Sequence, residues 1–298
     1  MYNIIGKRIW WYGVSAVLIV SSIVMIAIGG LKLGIDFTGG SLIRVSFSDV
    51  RPQPQEILDQ LAPLGLGGIQ VQPLATHDAS IRMKELSQEE YQRVLDSLSE
   101  KFSGTTAQSF ESIGPTIGKE LRDKAGMAII LVLSFILLYI TFAFRKSGNK
   151  MVSSWMYGFG VLIALFHDVI IVLGLFAFLG KFFNVEIDIL FITAVLTVLG
   201  FSVHDSIVVY DRTRENLKTH GHRPFAEIVN LSVNQTLVRS LNTSLTTLLV
   251  LVALYFFGGD SIRFFILALI LGIIVGTYSS IFIGSPFLVD WYKFRRRS

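Results

Sequence analysis

Six long apolar runs constrain this chain more than any other feature, because each approaches the length that a bilayer demands. A hydrocarbon core takes about 20 apolar residues of helix. The runs are Trp10 to Gly30, Ala125 to Phe144, Met151 to Leu179, Ile187 to Tyr210, Leu241 to Phe257 and Phe264 to Val289. The first, second and sixth carry no charge, the third holds only His167 and Asp168, and the fourth contains Asp188, His204 and Asp205. The fifth is short and polar at its start. Six transmembrane helices follow. Lys7, Arg8 and the small-residue stretch Ala27-Ile28-Gly29 also fit a cleaved signal peptide, but the apolar run exceeds the roughly 7–15 residues of a signal core. It reads as an uncleaved anchor.

Composition agrees. Of 298 residues, 52% are hydrophobic and 16% charged, against about 25% charged in soluble domains. A disordered chain, a purely soluble enzyme and a disulfide-stapled secreted domain are excluded. With no cysteine, so are zinc–thiolate sites, iron–sulfur clusters and a cysteine nucleophile.

Lys and Arg set orientation, because cytoplasmic loops carry their excess. One side of the membrane would hold Lys7 and Arg8; Arg145, Lys146 and Lys150; Arg212, Arg214, Lys218, Arg223 and Arg239; and Lys293, Arg295, Arg296 and Arg297. The short loops opposite hold only Lys181 and Arg263. Both termini are therefore expected in the cytoplasm. The net charge of +4 reflects this bias and is no footprint of nucleic acid. Three parts are expected: residues 1–30 as cytoplasmic N-terminus and first helix, 31–124 as an extracytoplasmic domain, and 125–298 as a five-helix membrane domain. The last includes a cytoplasmic loop over 211–240 and a basic cytoplasmic C-terminus.

Between the first two spans lie about 90 residues, enough for a small domain. Alternation predicts strands over Ser41–Phe47, Ile69–Leu74, Ile81–Leu86 and Thr105–Ile113. A helical period predicts helices over Pro52–Pro63 and Gln88–Phe102. The order β-α-β-β-α-β is that of a ferredoxin-like sandwich. The fold expected is thus an α-helical membrane protein of six transmembrane helices with an extracytoplasmic α+β ferredoxin-like domain between helices 1 and 2. That domain shows no catalytic constellation and no phosphate cradle, so it reads as a binding module.

Three stretches are distinctive together. Gly34-Ile35-Asp36-Phe37-Thr38-Gly39-Gly40 follows the first span. Glu111-Ser112-Ile113-Gly114-Pro115-Thr116-Ile117-Gly118 precedes the second. Phe201 to Asn216, with Ser202-Val203-His204-Asp205-Ser206 at its centre, closes the fourth. In this order they resemble the SecF family, the smaller membrane subunits of the bacterial SecD–SecF complex, over nearly the whole chain. One departure is visible: His204 stands where the family is expected to carry asparagine.

The resemblance implies a subunit of a twelve-helix unit, related to proton-driven RND transporters, that uses the proton-motive force to assist preprotein translocation. It implies SecD, the SecYEG channel and the translocating preprotein as partners, with YajC and YidC as further candidates, in the bacterial cytoplasmic membrane. No enzyme activity, metal or cofactor is implied beyond protons as the coupling ion.

The few ionisable residues inside the spans point the same way, since a charge at mid-bilayer costs about 2.5–3.5 kcal/mol on insertion scales. Asp205 is the leading candidate, because a carboxylate balanced between desolvation and a nearby cation can load and release a proton. Arg239, at the start of the fifth span, is its expected partner at similar depth, and the resemblance matches both to the family's proton-pathway acid and arginine. The alternative is a static buried ion pair. His167 and Asp168 are candidates for a second relay or for hydrogen bonds that fix packing, and His204 has the same two readings. Glu186 and Asp188 read as interfacial. Gly34, Asp36, Gly39 and Gly40 are expected at a tight reversal between the first helix and the first strand, where Asp36 caps or clamps, with Phe37, Gly114 and Pro115 completing the junction. Gly272 and Gly276 form a GxxxG that suits close helix contact. Pro224 and the residues after it read as a short amphipathic helix.

Three other classes are weaker. An RND-type small-molecule exporter needs more outer domain than one chain of this length supplies. An intramembrane aspartic protease, suggested by Asp168 and Asp205, lacks the Gly-x-Gly-Asp setting. A structural subunit with inert ion pairs differs from the leading reading only in whether Asp205 titrates.

Overall fold

A computed structural model describes residues 1–74, 76–145 and 153–295; Lys146, Lys150, Met151, Arg296 and Arg297 of the sequence reading lie outside them. In chain order the elements are α1 (Arg8–Gly29), α2 (Ile35–Thr38), β1 (Gly40–Ser46), α3 (Pro54–Leu61), β2 (Gln70–Pro73), β3 (Asp78–Met83), α4 (Gln88–Lys101), β4 (Thr106–Ile113), α5 (Pro115–Ala143), α6 (Ser154–Phe183), α7 (Ile189–Thr219), α8 (Phe225–Phe257), α9 (Arg263–Ser279) and α10 (Ser285–Arg295). A π-helical turn, Ser280–Gly284, joins α9 to α10. The chain divides into two compact units.

The larger unit comprises Met1–Lys32, Met127–Val185 and Leu190–Ser298. Among the described residues, six helical stretches are long and apolar enough to span a membrane: α1, α5, α6, α7, α8 and the run Asp260–Arg295. Helices α6, α7 and α9 form its interior. Tyr157, Leu165 and Phe176 of α6, Phe191, Leu199 and Tyr210 of α7, and Ala268 and Ile273 of α9 are buried. Helices α1, α5 and α8 expose apolar faces, such as Phe135 and Tyr139 of α5 and Leu245 and Leu249 of α8. Small residues permit the closest approaches: Gly174 of α6 lies against Ser22 of α1, and Gly272 and Gly276 of α9 lie against Val198 and Ser202 of α7.

The spans depart from expectation on the side of α7 and α8. The segment 211–240 is not a loop. Helix α7 runs on to Thr219, and α8 begins at Phe225, so only His220 to Pro224 connects them. The charges of this stretch lie on an outer face and brace the helix at i,i+3 spacing, as Arg212 with Glu215 and Arg214 with Asp211. Its inner face is buried through Thr213, Asn216, Leu217, Phe225, Ile228 and Ser232. The Asn216 amide donates to Ser232 Oγ at 2.9 Å and to Gln235 Oε1 at 2.8 Å. Pro224 is thus the N-cap of one 33-residue helix, and no separate amphipathic helix follows it.

The smaller unit comprises Leu33–Gly126 and Glu186–Ile189. Its order is βαββαβ, and its antiparallel sheet runs β2-β3-β1-β4, the split βαβ arrangement. Period-2 alternation puts Ile43, Val45 and Phe47 on the face covered by the helices. They meet Ile81 and Met83 of β3, Ile57 and Leu61 of α3, and Val94 and Leu98 of α4. Ser87 and Glu90 form a reciprocal capping box at the start of α4. The third strand is Asp78–Met83 where Ile81–Leu86 was expected. Pairing with β1 sets its limits, because Asp78 lies opposite Ser46 and Met83 opposite Ser41.

Candidate functional site

Two of the intramembrane acids sit on facing interior helices in unlike surroundings. Asp168 of α6 is 0% exposed and fully partnered. Ser202 Oγ donates to its Oδ2 at 2.7 Å, Ser279 Oγ donates to the same oxygen at 2.9 Å, and Oδ1 lies 3.0 Å from Nδ1 of His167. His167 Nε2 lies 3.1 Å from Ser15 Oγ of α1. Adjacent residues on a helix diverge by about 100°. The two side chains meet each other.

Asp205 of α7 is 2% exposed yet poorly satisfied. The hydroxyls of Ser240 and Thr277 lie near it, but Thr277 Oγ1 is 2.6 Å from Ser244 Oγ. Among the described residues, neither Asp205 Oδ2 nor Ser240 Oγ has a hydrogen-bond partner. A buried polar atom without a partner costs about 1–3 kcal/mol, so such an atom inside a membrane bundle marks a group kept for another reason.

The expected ion pair between Asp205 and Arg239 is not formed. Ser232, Thr236, Ser240 and Ser244 are all buried at fourfold spacing and define the packed face of α8. Arg239 is one residue, about 100°, off that face and is exposed. It lines an open pocket of about 480 Å³ with Asp211, Arg212, Arg214, Glu215 and Phe144. His204 is likewise exposed, turned away from the interior that holds Asp205.

The junction residues come together within the smaller unit. Gly34 N–H donates to Ile187 O at 2.9 Å. Gly34 itself has an ordinary negative φ; what it needs is room, since a Cβ there would lie 3.3 Å from the Ile187 carbonyl oxygen. Among these junction residues, positive φ occurs at Gly39 (74°) and Gly40 (119°). A Cβ on Gly39 would approach Pro115 Cα to 2.7 Å, and one on Gly40 would approach Met83 O to 2.7 Å. Between the glycines the chain forms one helical turn rather than a bare reversal, with Phe37 buried. Gly114 leads into Pro115, the first residue of α5, where a missing N–H costs nothing. Asp36 does cap: its Oδ2 accepts from Ile189 N–H at 2.8 Å, at the start of α7, 153 residues away. Glu186, read from the sequence as interfacial, receives Arg82 Nη1 at 2.8 Å, while Arg82 Nη2 donates to Thr38 Oγ1 at 2.6 Å.

Sequence reasoning missed Ser15, Ser202, Tyr278 and Ser279, which complete the surroundings of His167 and Asp168. It also missed the π-helical turn, whose Ser280 hydroxyl donates to Ser202 O at 3.1 Å. The only signal was polar residues inside otherwise apolar runs.

Comparison with known proteins fixes the family. Residues 93–294 match the model of the protein export membrane protein SecD/SecF, C-terminal, and residues 24–49 match that of the SecD/SecF GG motif. The protein translocase subunit SecF of Thermobaculum terrenum is 42% identical over 98% of this chain and 94% of its own length. The chain belongs to the SecF family. A SecF from Anaerolinea thermophila is 40% identical, again over 98% of this chain and 94% of the relative. Among solved structures, the crystal structure of SecDF from Thermus thermophilus, described as a translocon-associated membrane protein, matches with a TM-score of 0.86 at 36% identity. The match covers 98% of this chain and 39% of that one. SecDF in a super-membrane-facing form matches with a TM-score of 0.70 at 37% identity, over 99% of this chain and 39% of that one. This SecF family member thus spans well under half the length of either SecDF chain.

Proposed function

We propose that this SecF family member works with SecD as a proton-driven accessory to preprotein translocation through SecYEG, in the cytoplasmic membrane of a bacterium. The observation that carries the proposal is Asp205, a buried carboxylate on an interior helix with an oxygen that no described residue satisfies. Only a group that changes charge can report a proton gradient to a protein. Asp205 is the intramembrane acid whose surroundings do not already fix its hydrogen bonds. Arg239, exposed one residue beyond the packed face of α8, is available to respond to that charge or to meet a carboxylate of SecD. Protonation and release at Asp205 would bias two arrangements of the helices.

Positive residues at both termini, and at the adjoining ends of α7 and α8 with Arg223 between them, support a cytoplasmic location for those segments. The α+β domain is then extracytoplasmic, on the side where preprotein emerges. In this reading the protein is not an enzyme and needs no cofactor; protons are its coupling ion. YajC and YidC belong to the same proposed assembly. The test is gradient-dependent preprotein export by Asp205→Asn together with SecD. Loss of gradient stimulation with the complex intact supports the proposal, and retention refutes it.

A further inference from the structure

From the hydrogen-bond directions around His167 and Asp168 we infer that this pair is a one-proton clamp that positions the Asp205-bearing helix, and not a relay. The count starts at a fixed end. Tyr278 OH lies 3.0 Å from Trp11 O, and a carbonyl can only accept, so the phenol spends its single proton there. Ser15 Oγ, 3.2 Å from Tyr278 OH, must then donate to the phenol oxygen. Ser15 has no proton left for His167, so Nε2 of His167 carries one and donates to Ser15 Oγ.

At the other end, Oδ2 of Asp168 receives the hydroxyl of Ser202 at 2.7 Å and that of Ser279 at 2.9 Å, the latter shared with the Gly276 carbonyl at 3.1 Å. The contact between Nδ1 and Oδ1 remains, and it accommodates one proton. With none, an imidazole lone pair faces a carboxylate oxygen; with two, N–H faces O–H. Whether the proton rests on nitrogen or oxygen, the pair holds one and carries no net charge.

Such a pair cannot pass protons onward. The chain of donors ends at the Trp11 carbonyl, which has no proton to give. Asp168 is 0% and His167 3% exposed. Of their hydrogen-bond partners among the described residues, on α1, α7 and α9, none is charged, and one hydroxyl beyond Ser15 the series meets Tyr278.

What the pair does is tie helices. It joins α6 to α1 through Ser15, to α7 through Ser202 and to α9 through Ser279. Gly276 leaves the space for it, since a Cβ there would lie 3.0 Å from Ser202 Cβ and 3.5 Å from Asp168 Oδ2. Ser202 precedes Asp205 by less than one turn, so the clamp fixes the turn of α7 that carries the acid. His167 and Asp168 are therefore positioning residues.

The test combines a spectrum and a substitution in the full chain reconstituted with SecD. ¹⁵N-histidine spectra, with His167→Gln identifying the signal, are expected to show Nε2 protonated. An Nε2 that carries no proton overturns the inference without touching the reading of Asp205. Asp168→Asn keeps every hydrogen bond, because its amide donates to His167 Nδ1 and its oxygen accepts both serines. It is expected to assemble at the level of the unaltered chain and to retain gradient-stimulated export per assembled molecule. Asp168→Leu, which strands His167 Nδ1 and Ser202 Oγ, is expected to lose assembled protein. An Asp168→Asn chain that assembles fully yet loses gradient stimulation would make the pair a relay. If that chain fails to assemble, the clamp chemistry is refuted by the same result.

Discussion

Replacing Asp205 by asparagine separates charge from shape at one atom. The acid has an oxygen without a partner, and the Ser240 hydroxyl near it has none either. The asparagine amide brings a donor to that space, and Ser240 Oγ accepts it. Since an unsatisfied buried polar atom costs about 1–3 kcal/mol, Asp205→Asn should resist thermal unfolding at least as well as the unaltered chain. Function should respond in the opposite direction. One full charge moved through 100 mV is worth about 2.3 kcal/mol, which is about 40-fold in an equilibrium constant at tenfold per 1.4 kcal/mol. That is the ceiling on stimulation per coupled proton. Preprotein export would be measured in vesicles with an imposed gradient and again after a protonophore collapses it. The unaltered protein should show a ratio above one and up to that ceiling. Asp205→Asn should show a ratio of one with equal assembled protein. If the substituted protein kept the full ratio, Asp205 would be structural, and the proton would enter by a group not identified in this chain.

Other outcomes follow from separate parts of the molecule. Because the chain lacks cysteine, Gln70→Cys in β2 and His222→Cys between α7 and α8 report sidedness directly. An impermeant thiol reagent added outside should label the first alone, and the reverse pattern would invert the proposed topology. Gly40→Ala places a Cβ 2.7 Å from the Met83 carbonyl at φ 119°. It should destabilise the α+β domain by about 1–3 kcal/mol, seen as earlier unfolding in denaturant. The Ser87 backbone N–H, and then Lys84, hold the Glu90 carboxyl below its ordinary value. A carboxyl depressed in the folded state stabilises above its unfolded range and loses that contribution as pH falls through the folded value. The protection of the amides at the start of α4, measured as exchange relative to the intrinsic rate at each pH, should therefore fall on acidification in the unaltered chain, and Glu90→Gln should remove that pH dependence.

The elements of the α+β domain were legible because two periods rarely mimic each other. Ile43, Val45 and Phe47 alternate, while Tyr91, Val94, Leu95 and Leu98 recur at helical spacing. The apolar runs disclosed the spans, yet not the ends of α7 and α8. A charged stretch such as Asp211 to Lys218 looks like solvent-exposed loop until its i,i+3 partners and its buried Thr213, Asn216 and Leu217 are seen. Depth in the bilayer can be counted from sequence, which placed Asp205 and Arg239 at one level. Rotation about the helix axis cannot be counted unless the packed face is known. The serines and threonines of α8 marked that face, at 232, 236, 240 and 244, and Arg239 falls beside it. The partners of Asp168 were not foreseen because isolated serines in apolar helices are too common to single out Ser15, Ser202 and Ser279. Asp36 was expected to clamp its own junction, and nothing local in the sequence linked it to the first amide of α7.

That capping bond makes α7 a lever with a marked handle. From Ile189, whose amide the Asp36 carboxylate holds, to Asp205 is 16 residues of uninterrupted helix, or about 24 Å at 1.5 Å per residue. A helix of this kind transmits tilt with little loss, so a swing of about 5° at the capped end carries Asp205 sideways by about 2 Å. That distance is of the order of the gap between a hydrogen bond made and a hydrogen bond broken. The acid that lacks a partner is thus placed where a small inclination of its own helix decides whether it finds one.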